Sequence, residues 1–339
     1  MSQDTLSQVL RSVRLHGAVF YHVEGTAHWV SESPSAGDIA SLIMPGAEHM
    51  MAYHVLTHGS CWATVVGETP VALQQGDVVV FPRGDPHVMS SQPGLRGQLD
   101  MAPYALPRPE QLPFLASRRG QELSMTRLDR DVGPACTTLV CGFFGCDASP
   151  FNPLLACLPQ LLHVRARQEA DDWIAHFIRF ALAEATFKRP GGEALLERLS
   201  EAMFVELIRR YLEEMPEEHL NWLAGLRDRY VGRALAMLHE RPGDPWTIER
   251  LSDRVGLSRS ALHERFMRFT GYAPMHYLTK WRMQVASGLL RQTAGPVAAI
   301  ALEVGYESEA AFSRAFRRET GLPPATWRRE QAAQAEQVV

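Results

Sequence analysis

The 339-residue sequence lacks the features of an exported or membrane-spanning chain. It has no apolar run that approaches the ~20 residues needed to span a bilayer, and its N-terminus has no charged segment followed by an apolar one. Its five cysteines form an odd number and include no Cys-x-x-Cys pair. Without an export signal, these thiols are expected to be reduced rather than joined in disulfides. The sequence therefore predicts a soluble, cytoplasmic protein with no membrane partner.

A surplus of positive charge is also absent, since the net charge at pH 7 is −4. This total is unusual for a protein that binds nucleic acid, but the charge is unevenly distributed. Residues 243–330 contain 13 Lys and Arg against 9 Asp and Glu, a net charge of +4, whereas the rest of the chain has −8. This asymmetry has the sign expected of an acidic sensory part joined to a basic C-terminal part.

Short apolar runs separated by glycine and proline turn signals occupy the first part of the chain, for example at residues 61–66 and 78–81. Such a succession predicts a β-sandwich or barrel. Residues 101–135 carry several prolines and charges, which predicts an irregular, exposed crossing before a further strand at 136–144.

From about residue 153 the apolar spacing becomes helical, with two helices separated by the sequence KRPGG at residues 188–192. Each helix has one apolar face opposite a charged one. These apolar faces pack onto their own domain or form a homodimer seam, and the sequence leaves both interpretations open.

One stretch of sequence occurs twice near the C-terminus. Residues 256–274 are GLSRSALHERFMRFTGYAP, and residues 305–324 are GYESEAAFSRAFRRETGLPP. Matching positions are offset by 49 residues before the turn and by 50 after it. An internal repeat of this kind indicates a duplicated structural unit.

Each copy predicts two short helices joined by a glycine turn. Ser258 and Ser308 are favourable N-caps for the second helix, and Phe266 and Phe316 lie on its apolar inner face. This is the helix-turn-helix pattern, and a long helix over residues 275–291 would hold the two recognition helices in consecutive major grooves, ~34 Å apart. An α-solenoid is the less favoured alternative, because two copies are too few for an array.

The segment from Trp246 to Arg329 resembles the DNA-binding domain of AraC/XylS-type transcription regulators. The resemblance rests on LSDRVGLSRSALHERFMRFTGYAPMHYLTKWRMQVASGLL and IALEVGYESEAAFSRAFRRETGLPPATWR, which include both halves and the linker helix. In that family, exposed residues in the early turns of both recognition helices contact the bases. The positions expected to contact DNA are Arg259, Ser260, His263, Glu264 and Arg268 in the first copy and Glu309, Ala310, Ser313, Arg314 and Arg317 in the second.

These positions differ in the contact that their chemistry allows. Arg314 is expected to donate two hydrogen bonds to the edge of a guanine, a contact worth ~1–3 kcal/mol of discrimination against other bases. Arg259, Arg268 and Arg317 are expected to contact phosphate, which positions the protein without reading sequence.

Residues 76–87, GDVVVFPRGDPH, have the spacing of the second conserved motif of cupins. Upstream, His49, His54 and His58 lie where the first motif places metal ligands, but the usual His-x-His pair is missing. Glu68 is the only acidic candidate. His54 and His87 are therefore candidate ligands of a divalent metal, of the kind that imidazole and carboxylate donors bind.

Residues 15–165 as a whole resemble the cupin-type sensory domain attached to a subgroup of AraC-like regulators. In that setting the barrel is expected to bind a small-molecule effector rather than to catalyse a reaction. The candidate effector-binding residues combine apolar and polar side chains, as ligand sites usually do: Tyr53, His54, Trp62, Phe81 and His87. Buried, inert thiols are the default for Cys136, Cys141 and Cys146, with a thiol switch as the alternative.

The sequence predicts an α+β chain with four parts. These are a cupin-like β-barrel domain (1–165), a helical connector that includes a possible dimerisation region (166–220), an all-α domain with two helix-turn-helix units (221–332) and a tail (333–339). The predicted function is a homodimeric, effector-controlled transcription regulator, an activator, that binds double-stranded DNA and contacts RNA polymerase. The alternatives are a cupin metalloenzyme with a DNA-binding tail and a thiol-based redox regulator.

Overall fold

A computed structural model of the chain describes residues 4–99, 101, 104, 114–124, 136–167, 172–216 and 218–336. The chain forms two compact units. The sheet unit comprises Leu15–Cys146 and Leu158–Glu213, and the helical unit comprises Met1–Arg14, Asp147–Cys157 and Glu214–Val339.

This division differs from the one expected from sequence, which assigns residues 1–165 to a single domain. Residues 1–14 and 147–157 belong instead to the helical unit. The physical reason is that the side chains of these two segments pack against helices of that unit, as described below.

The sheet unit is built on one curled sheet, a half-barrel, which confirms the predicted cupin-like fold. Ten strands occur among the described residues: β1 His16–Ser33, β2 His49–His58, β3 Ser60–Val65, β4 Val71–Gln74, β5 Val78–Phe81, β6 His87–Ser90, β7 Phe114–Gly120, β8 Glu122–Ser124, β9 Thr137–Cys146 and β10 Leu162–Val164. Hydrogen bonds order them β10-β5-β2-β9-β1-β6-β3-β4, with β7 beside β1 and β8 beside β7.

The strand β1 changes partners along its 18 residues. Its first half pairs antiparallel with β9, and its end pairs antiparallel with β6. Between Thr26 and Trp29 the register with β7 shifts, and Ala27 there has a φ of 53°. A positive φ at a residue other than glycine is uncommon, and it marks the bulge at which the strand is redirected.

The irregular crossing predicted over residues 101–135 is wrong for part of that range. Residues Phe114–Gly120 and Glu122–Ser124 are strands, and Phe114 pairs in parallel with Tyr21. The sequence hides this pairing because the two partners are distant in the chain and Arg118 and Arg119 interrupt the apolar pattern of β7.

Thirteen helices have bounds within the described residues: α1 Thr5–Ser12, α2 Ala36–Ile43, α3 Pro153–Cys157, α4 Trp173–Phe187, α5 Gly192–Glu214, α6 Trp222–Arg227, α7 Val231–Glu240, α8 Ile248–Val255, α9 Arg259–Thr270, α10 Pro274–Gln292, α11 Val297–Glu303, α12 Glu309–Thr320 and α13 Pro324–Glu336. None of these described helices combines the length and the apolar character needed to cross a bilayer.

The apolar faces of α4 and α5 pack within the sheet unit. Phe177, Met203 and Leu207 are buried, and the ring of Phe204 lies 4.9 Å from that of Phe144 in β9. Packing onto the domain itself therefore accounts for this face, because a side chain buried by its own sheet is not available to a second chain. The homodimer seam stays a prediction.

The duplicated unit folds as its capping residues predict. The hydroxyls of Ser258 and Ser308 accept hydrogen bonds from the backbone N–H groups of Ala261 and Ala311, at the first turns of α9 and α12. Gly271 ends α9 with a φ of 74°, in the left-handed region that glycine adopts without strain. The linker helix α10 follows at Pro274 and contacts both halves of the duplicated unit.

Candidate nucleic-acid interface and ligand cavity

The first recognition helix, α9, presents a polar outer face because its apolar side chains turn inward. Leu262 and Phe266 are completely buried. The five positions that the sequence assigns to DNA contact in this helix are all exposed: Arg259, Ser260, His263, Glu264 and Arg268.

The second recognition helix, α12, is arranged in the same way around buried Phe312 and Phe316. Four of its predicted contact positions are exposed, namely Glu309, Ala310, Arg314 and Arg317, and Ser313 is half-buried. Within the described part of the chain, the guanidinium of Arg314 makes no hydrogen bond or ion pair. It is therefore available to an external acceptor.

Two ion pairs that sequence reasoning missed restrain α9. Nη1 of Arg259 lies 2.9 Å from Oε1 of Glu249 in α8, and both side chains are largely exposed. Arg265 donates to both carboxylate oxygens of Asp228, which precedes α7. Burial opposes ionisation of Asp228, but hydrogen bonds from Arg265 and from backbone N–H groups lower its pKa below the usual value. The second pair thus ties α9 to the helix that precedes the repeat.

The sheet unit contains a cavity of about 80 Å³. Strands β1, β2, β6, β7, β8 and β9 supply its walls. The side chains that matter for its chemistry are Tyr21, Ala52, His54, His87, Cys141 and Phe143.

A chain of hydrogen bonds runs through the buried polar side chains of this cavity. Nδ1 of His87 lies 3.2 Å from the carbonyl oxygen of Asp85, and its Nε2 lies 2.9 Å from Nε2 of His54. Nδ1 of His54 lies 2.9 Å from Sγ of Cys141. Because the Asp85 carbonyl only accepts, one assignment satisfies all three contacts: His87 donates to Asp85, His54 donates to His87, and the Cys141 thiol donates to His54.

This assignment requires every member of the chain to be uncharged, and burial has that effect. Desolvation lowers the pKa of His87 to about 4. Desolvation, with the neighbouring His87 ring as a second cause, lowers the pKa of His54 well below its usual value. Desolvation also raises the pKa of the Cys141 thiol. At neutral pH the cavity therefore presents neutral imidazole and thiol groups.

The ionised groups at the cavity wall are already bonded to other groups of the protein. Glu32 accepts hydrogen bonds from Nε of Arg96, at 2.9 Å, and from the backbone N–H of Gly97, at 3.0 Å. The hydrogen bond from Arg96 is the main cause that lowers the pKa of Glu32. Nη1 of Arg118 donates to the carbonyl oxygens of Val30 and Gln121. These charges do not require a charged ligand.

The five predicted effector-binding residues are not all brought together. His54 and His87 line the cavity, and the ring of Phe81 stacks on that of His87 with centroids 3.8 Å apart. Tyr53 lies elsewhere, since its hydroxyl donates to the carbonyl of Ala18 and its ring stacks on Phe144. Successive side chains of a strand point to opposite faces, so Tyr53 and His54 of β2 cannot share one site.

Trp62 does not line the cavity either. In β3 the buried positions are Cys61, Ala63 and Val65, and Trp62 alternates with them on the other face. Among the lining residues that sequence reasoning missed, Cys141 lies on the largely apolar strand β9 and Tyr21 on β1, whose many polar residues hide the pattern.

The histidines expected to bind a metal are not arranged as a ligand set. Among the described residues, no group of three or more His, Cys, Asp or Glu side chains is placed to hold a metal ion. His49 bonds through Nε2 to the carbonyl of Pro82, and His58 and Glu68 are exposed. Both ring nitrogens of His54 are used, on opposite sides of the ring, by His87 and Cys141. These residues therefore do not fit the metal centre of a cupin.

Comparisons with known proteins agree with both parts of this architecture. A cupin family model matches residues 4–213, and a helix-turn-helix domain model matches residues 251–330. The chain is 31% identical over 288 residues to an AraC-like transcription regulator of Streptomyces lividans, a match that covers 84% of this chain and 88% of the relative.

The chain belongs to the AraC-like transcription regulators. It is also 25% identical over 334 residues to the transcriptional regulator AlkR of Acinetobacter baylyi, covering 96% of this chain and 99% of that protein. It is 30% identical over 194 residues to the RCS-specific transcriptional activator RclR of Escherichia coli, covering 57% of this chain and 68% of that protein. As a member of this family the chain is a DNA-binding regulator of transcription rather than an enzyme, and its partner is double-stranded DNA.

Proposed function

We propose that the cavity of the sheet unit binds a small, uncharged effector whose presence controls DNA binding by the two helix-turn-helix units. The observation that carries this proposal is the neutral hydrogen-bonded chain of His54, His87 and Cys141, which lies in the cavity beside apolar side chains such as Ala52 and Phe143. Ligand sites combine apolar walls with a few polar groups that fix orientation. A charged ligand would lose its hydration on entry, and the neutral imidazole and thiol groups would offer it no opposite charge.

The size of the cavity also restricts the effector. Sites for drug-sized ligands usually measure about 300–1,000 Å³, and this cavity measures about 80 Å³. The effector that enters without rearrangement of the walls is therefore a molecule of a few heavy atoms.

Thermal unfolding of the full-length protein tests this proposal. Two neutral probes, phenol and n-butanol, are compared with the anions benzoate and butyrate. The neutral probes are expected to raise the unfolding midpoint, since a ligand at ~100 times its dissociation constant stabilises by ~2.7 kcal/mol. The variant Ala52→Leu fills the cavity and should abolish the shift, whereas Tyr53→Phe alters a buried hydroxyl outside it and should not. Equal stabilisation by neutral and anionic probes, or a shift retained in Ala52→Leu, contradicts the proposal.

On the DNA side, we propose that Arg314 reads a guanine and that Arg259, Arg268 and Arg317 contact phosphates. Exposed, bidentate guanidinium groups suit both tasks. The remaining predicted positions, Ser260, His263, Glu264, Glu309, Ala310 and Ser313, are proposed to lie against the same groove. Location in the cytoplasm, a homodimeric state, activation and contact with RNA polymerase stay predictions.

A second candidate function is oxidant sensing at Cys141. The thiol lies at the cavity and donates to His54, and one relative is named as specific for RCS. Oxidation of the thiol to a sulfenic acid would add an oxygen atom between the sulfur and Nδ1 of His54, which lie 2.9 Å apart, and so break this hydrogen bond. The variant Cys141→Ser is then expected to lose an oxidant response of DNA binding. If Cys141→Ser keeps the oxidant response, another residue must be responsible for it.

A further inference from the structure

The linker helix α10 carries a polar stripe that is not exposed to solvent. Lys280, Gln284 and Arg291 are spaced i, i+4 and i+11, which places them on one side of the helix. Such a stripe normally faces water, yet Gln284 is 1% exposed and the Arg291 side chain 8% exposed. The groups that cover it come from the two flanking segments, residues 4–14 and 147–157, which precede β1 and follow β9 in the chain.

The buried carboxylate of Asp147 is the centre of the first contact. Arg14 donates to it from Nε, at 2.9 Å, and from Nη2, at 2.6 Å, and Arg291 donates to the same group. The Arg291 guanidinium lies 5.2 Å from the ring centroid of Trp327 in α13. The Asp147 side chain is only 2% exposed and that of Arg291 is nearly buried. Either charge would be costly to bury alone, and each neutralises the other.

Backbone strain at the same place indicates that the contact is held firmly. Arg14 has a φ of 47°, in the left-handed region that residues other than glycine rarely adopt. Residues held in such conformations persist when their surroundings fix them. The double hydrogen bond to Asp147 and the adjacent hydrogen bond from the Asp147 N–H to the carbonyl of Val13 contribute to holding Arg14 in place.

Gln284 binds both flanking segments at once. Its Nε2 donates to the carbonyl of Ser12, and its Oε1 accepts from the backbone N–H of Phe151, each at 3.1 Å. A buried amide that uses both its donor and its acceptor on two separate segments fixes their register along the helix.

The ring of Phe151 contacts side chains next to both recognition helices, α9 and α12. It meets Tyr272, two residues after the end of α9, edge-on at 5.8 Å, and Tyr277 at 5.2 Å. The ammonium of Lys280 lies 5.9 Å from the same ring, and it also forms a 3.0 Å ion pair with Glu319 near the end of α12. Phe151 is therefore in contact with groups that adjoin both recognition helices.

We propose that Asp147 and Phe151 are positioning residues for DNA recognition, which hold the linker helix in the one arrangement that sets the spacing between the two recognition helices. They contact no base. They act through Arg291, Gln284 and Lys280, and the property that they control is the preferred number of base pairs between the two half-sites.

The test is a selection of bound fragments from random DNA by the full-length protein, read as the distribution of half-site spacings. Wild type is expected to prefer one spacing. In Asp147→Asn and Phe151→Leu, the preference over sites one base pair longer or shorter is expected to fall about tenfold, equivalent to ~1.4 kcal/mol. Affinity for a single half-site, measured per active molecule, is expected to stay the same.

A matched control separates positioning from stability. Asp172→Asn removes one of the two carboxylate partners of buried Arg210 in the sheet unit, where the side chains of Asp172 and Arg210 are less than 5% exposed. It is expected to lower stability without changing the spacing preference. If Asp147→Asn does not fold, Gln284→Met, which removes only the two hydrogen bonds, carries the same expectation. The proposal is overturned if the positioning variants keep the wild-type spacing preference, if Asp172→Asn loses it equally, or if wild type has none.

Discussion

The carbonyl oxygen of Asp85 lies 3.2 Å from Nδ1 of His87, and this contact sets the direction of the hydrogen bonds that link His87, His54 and Cys141. Since a carbonyl only accepts, the proton of the His87 ring is placed on Nδ1, and Nε2 must accept from His54. Protonation of His87 would put its Nε2–H group against that of His54. The cavity therefore depends on neutral imidazoles.

Acid is expected to destabilise the fold through these histidines. Burial lowers the pKa of His87 to about 4 and that of His239, in the helical unit, to about 3. Between each of these values and ~6.5, the unfolded chain binds a proton that the folded chain does not. Stability should thus be complete above pH ~6.5 and fall by ~1.4 kcal/mol per pH unit per histidine as the pH drops. Urea unfolding from pH 7 to pH 4.5 measures this slope.

The variant His87→Gln is the control for that slope. It removes one titrating group, so its stability should depend less steeply on pH than that of the wild type. Parallel curves for the two proteins would mean that His87 is protonated in the folded state.

Arg314→Ala and Arg317→Ala are expected to affect DNA binding differently. Loss of a fork to guanine costs ~1–3 kcal/mol at the cognate base and relaxes the preference there. Loss of a phosphate contact weakens binding to all sequences equally and reduces the salt slope by about one. Gel-shift titrations on a selected site and on its single-base variants, at several salt concentrations, distinguish the two. Identical profiles for both variants would contradict the assignment.

Glu249→Gln is expected to strengthen DNA binding. The carboxylate holds Arg259 at 2.9 Å, and a phosphate must compete with it for the guanidinium. Because exposed ion pairs are weak, the gain in affinity should be less than about tenfold. The double variant Glu249→Gln with Arg259→Ala should lose the gain, and its retention would show that the removed negative charge acts without Arg259.

The effect of Arg291→Leu on the stability of the protein is expected to have opposite signs in two backgrounds. In the wild-type background it leaves buried Asp147 with one partner fewer, and breaking a buried pair costs ~3–5 kcal/mol. In the Asp147→Asn background, Arg291 has no carboxylate from the flanking segment, so its replacement should be neutral or stabilising. Thermal unfolding of the four proteins decides the matter. A loss of stability of the same size in both backgrounds would mean that Asp147 is not the relevant partner.

Local sequence patterns are sufficient to predict the structure of the repeat but not the contacts that the linker helix makes with other segments. The caps at Ser258 and Ser308 and the stop at Gly271 depend on neighbours within a few residues, and each is found where the spacing predicts it. The burial of Gln284 depends on Ser12, 272 residues away in sequence, and a single sequence carries no signal of that contact. A polar residue on a helix face is normally interpreted as exposed.

In the cavity, too, local motifs predict some features, and long-range strand pairing determines the others. The strand pattern and the resemblance to cupins predicted the curled sheet correctly. The candidate effector-binding residues His54 and His87 line the cavity, and their role in binding stays a prediction. The registers of β2 and β9, which bring His54 opposite Cys141, follow from long-range pairing. Tyr53 is not at the cavity because successive side chains of β2 point to opposite faces of the sheet, and its neighbour His54 takes the cavity side.

The chain passes between the sheet unit and the helical unit four times, after residues 14, 146, 157 and 213. Exchanging the sensor of this regulator for that of another therefore cannot be done with a single junction near residue 214. A working chimera must keep residues 4–14 and 147–157 with the C-terminal helices, as two short inserts at the borders of the transplanted sheet. Regulators of this design are expected to diversify by altering the walls of the cavity in place rather than by recombination of whole modules.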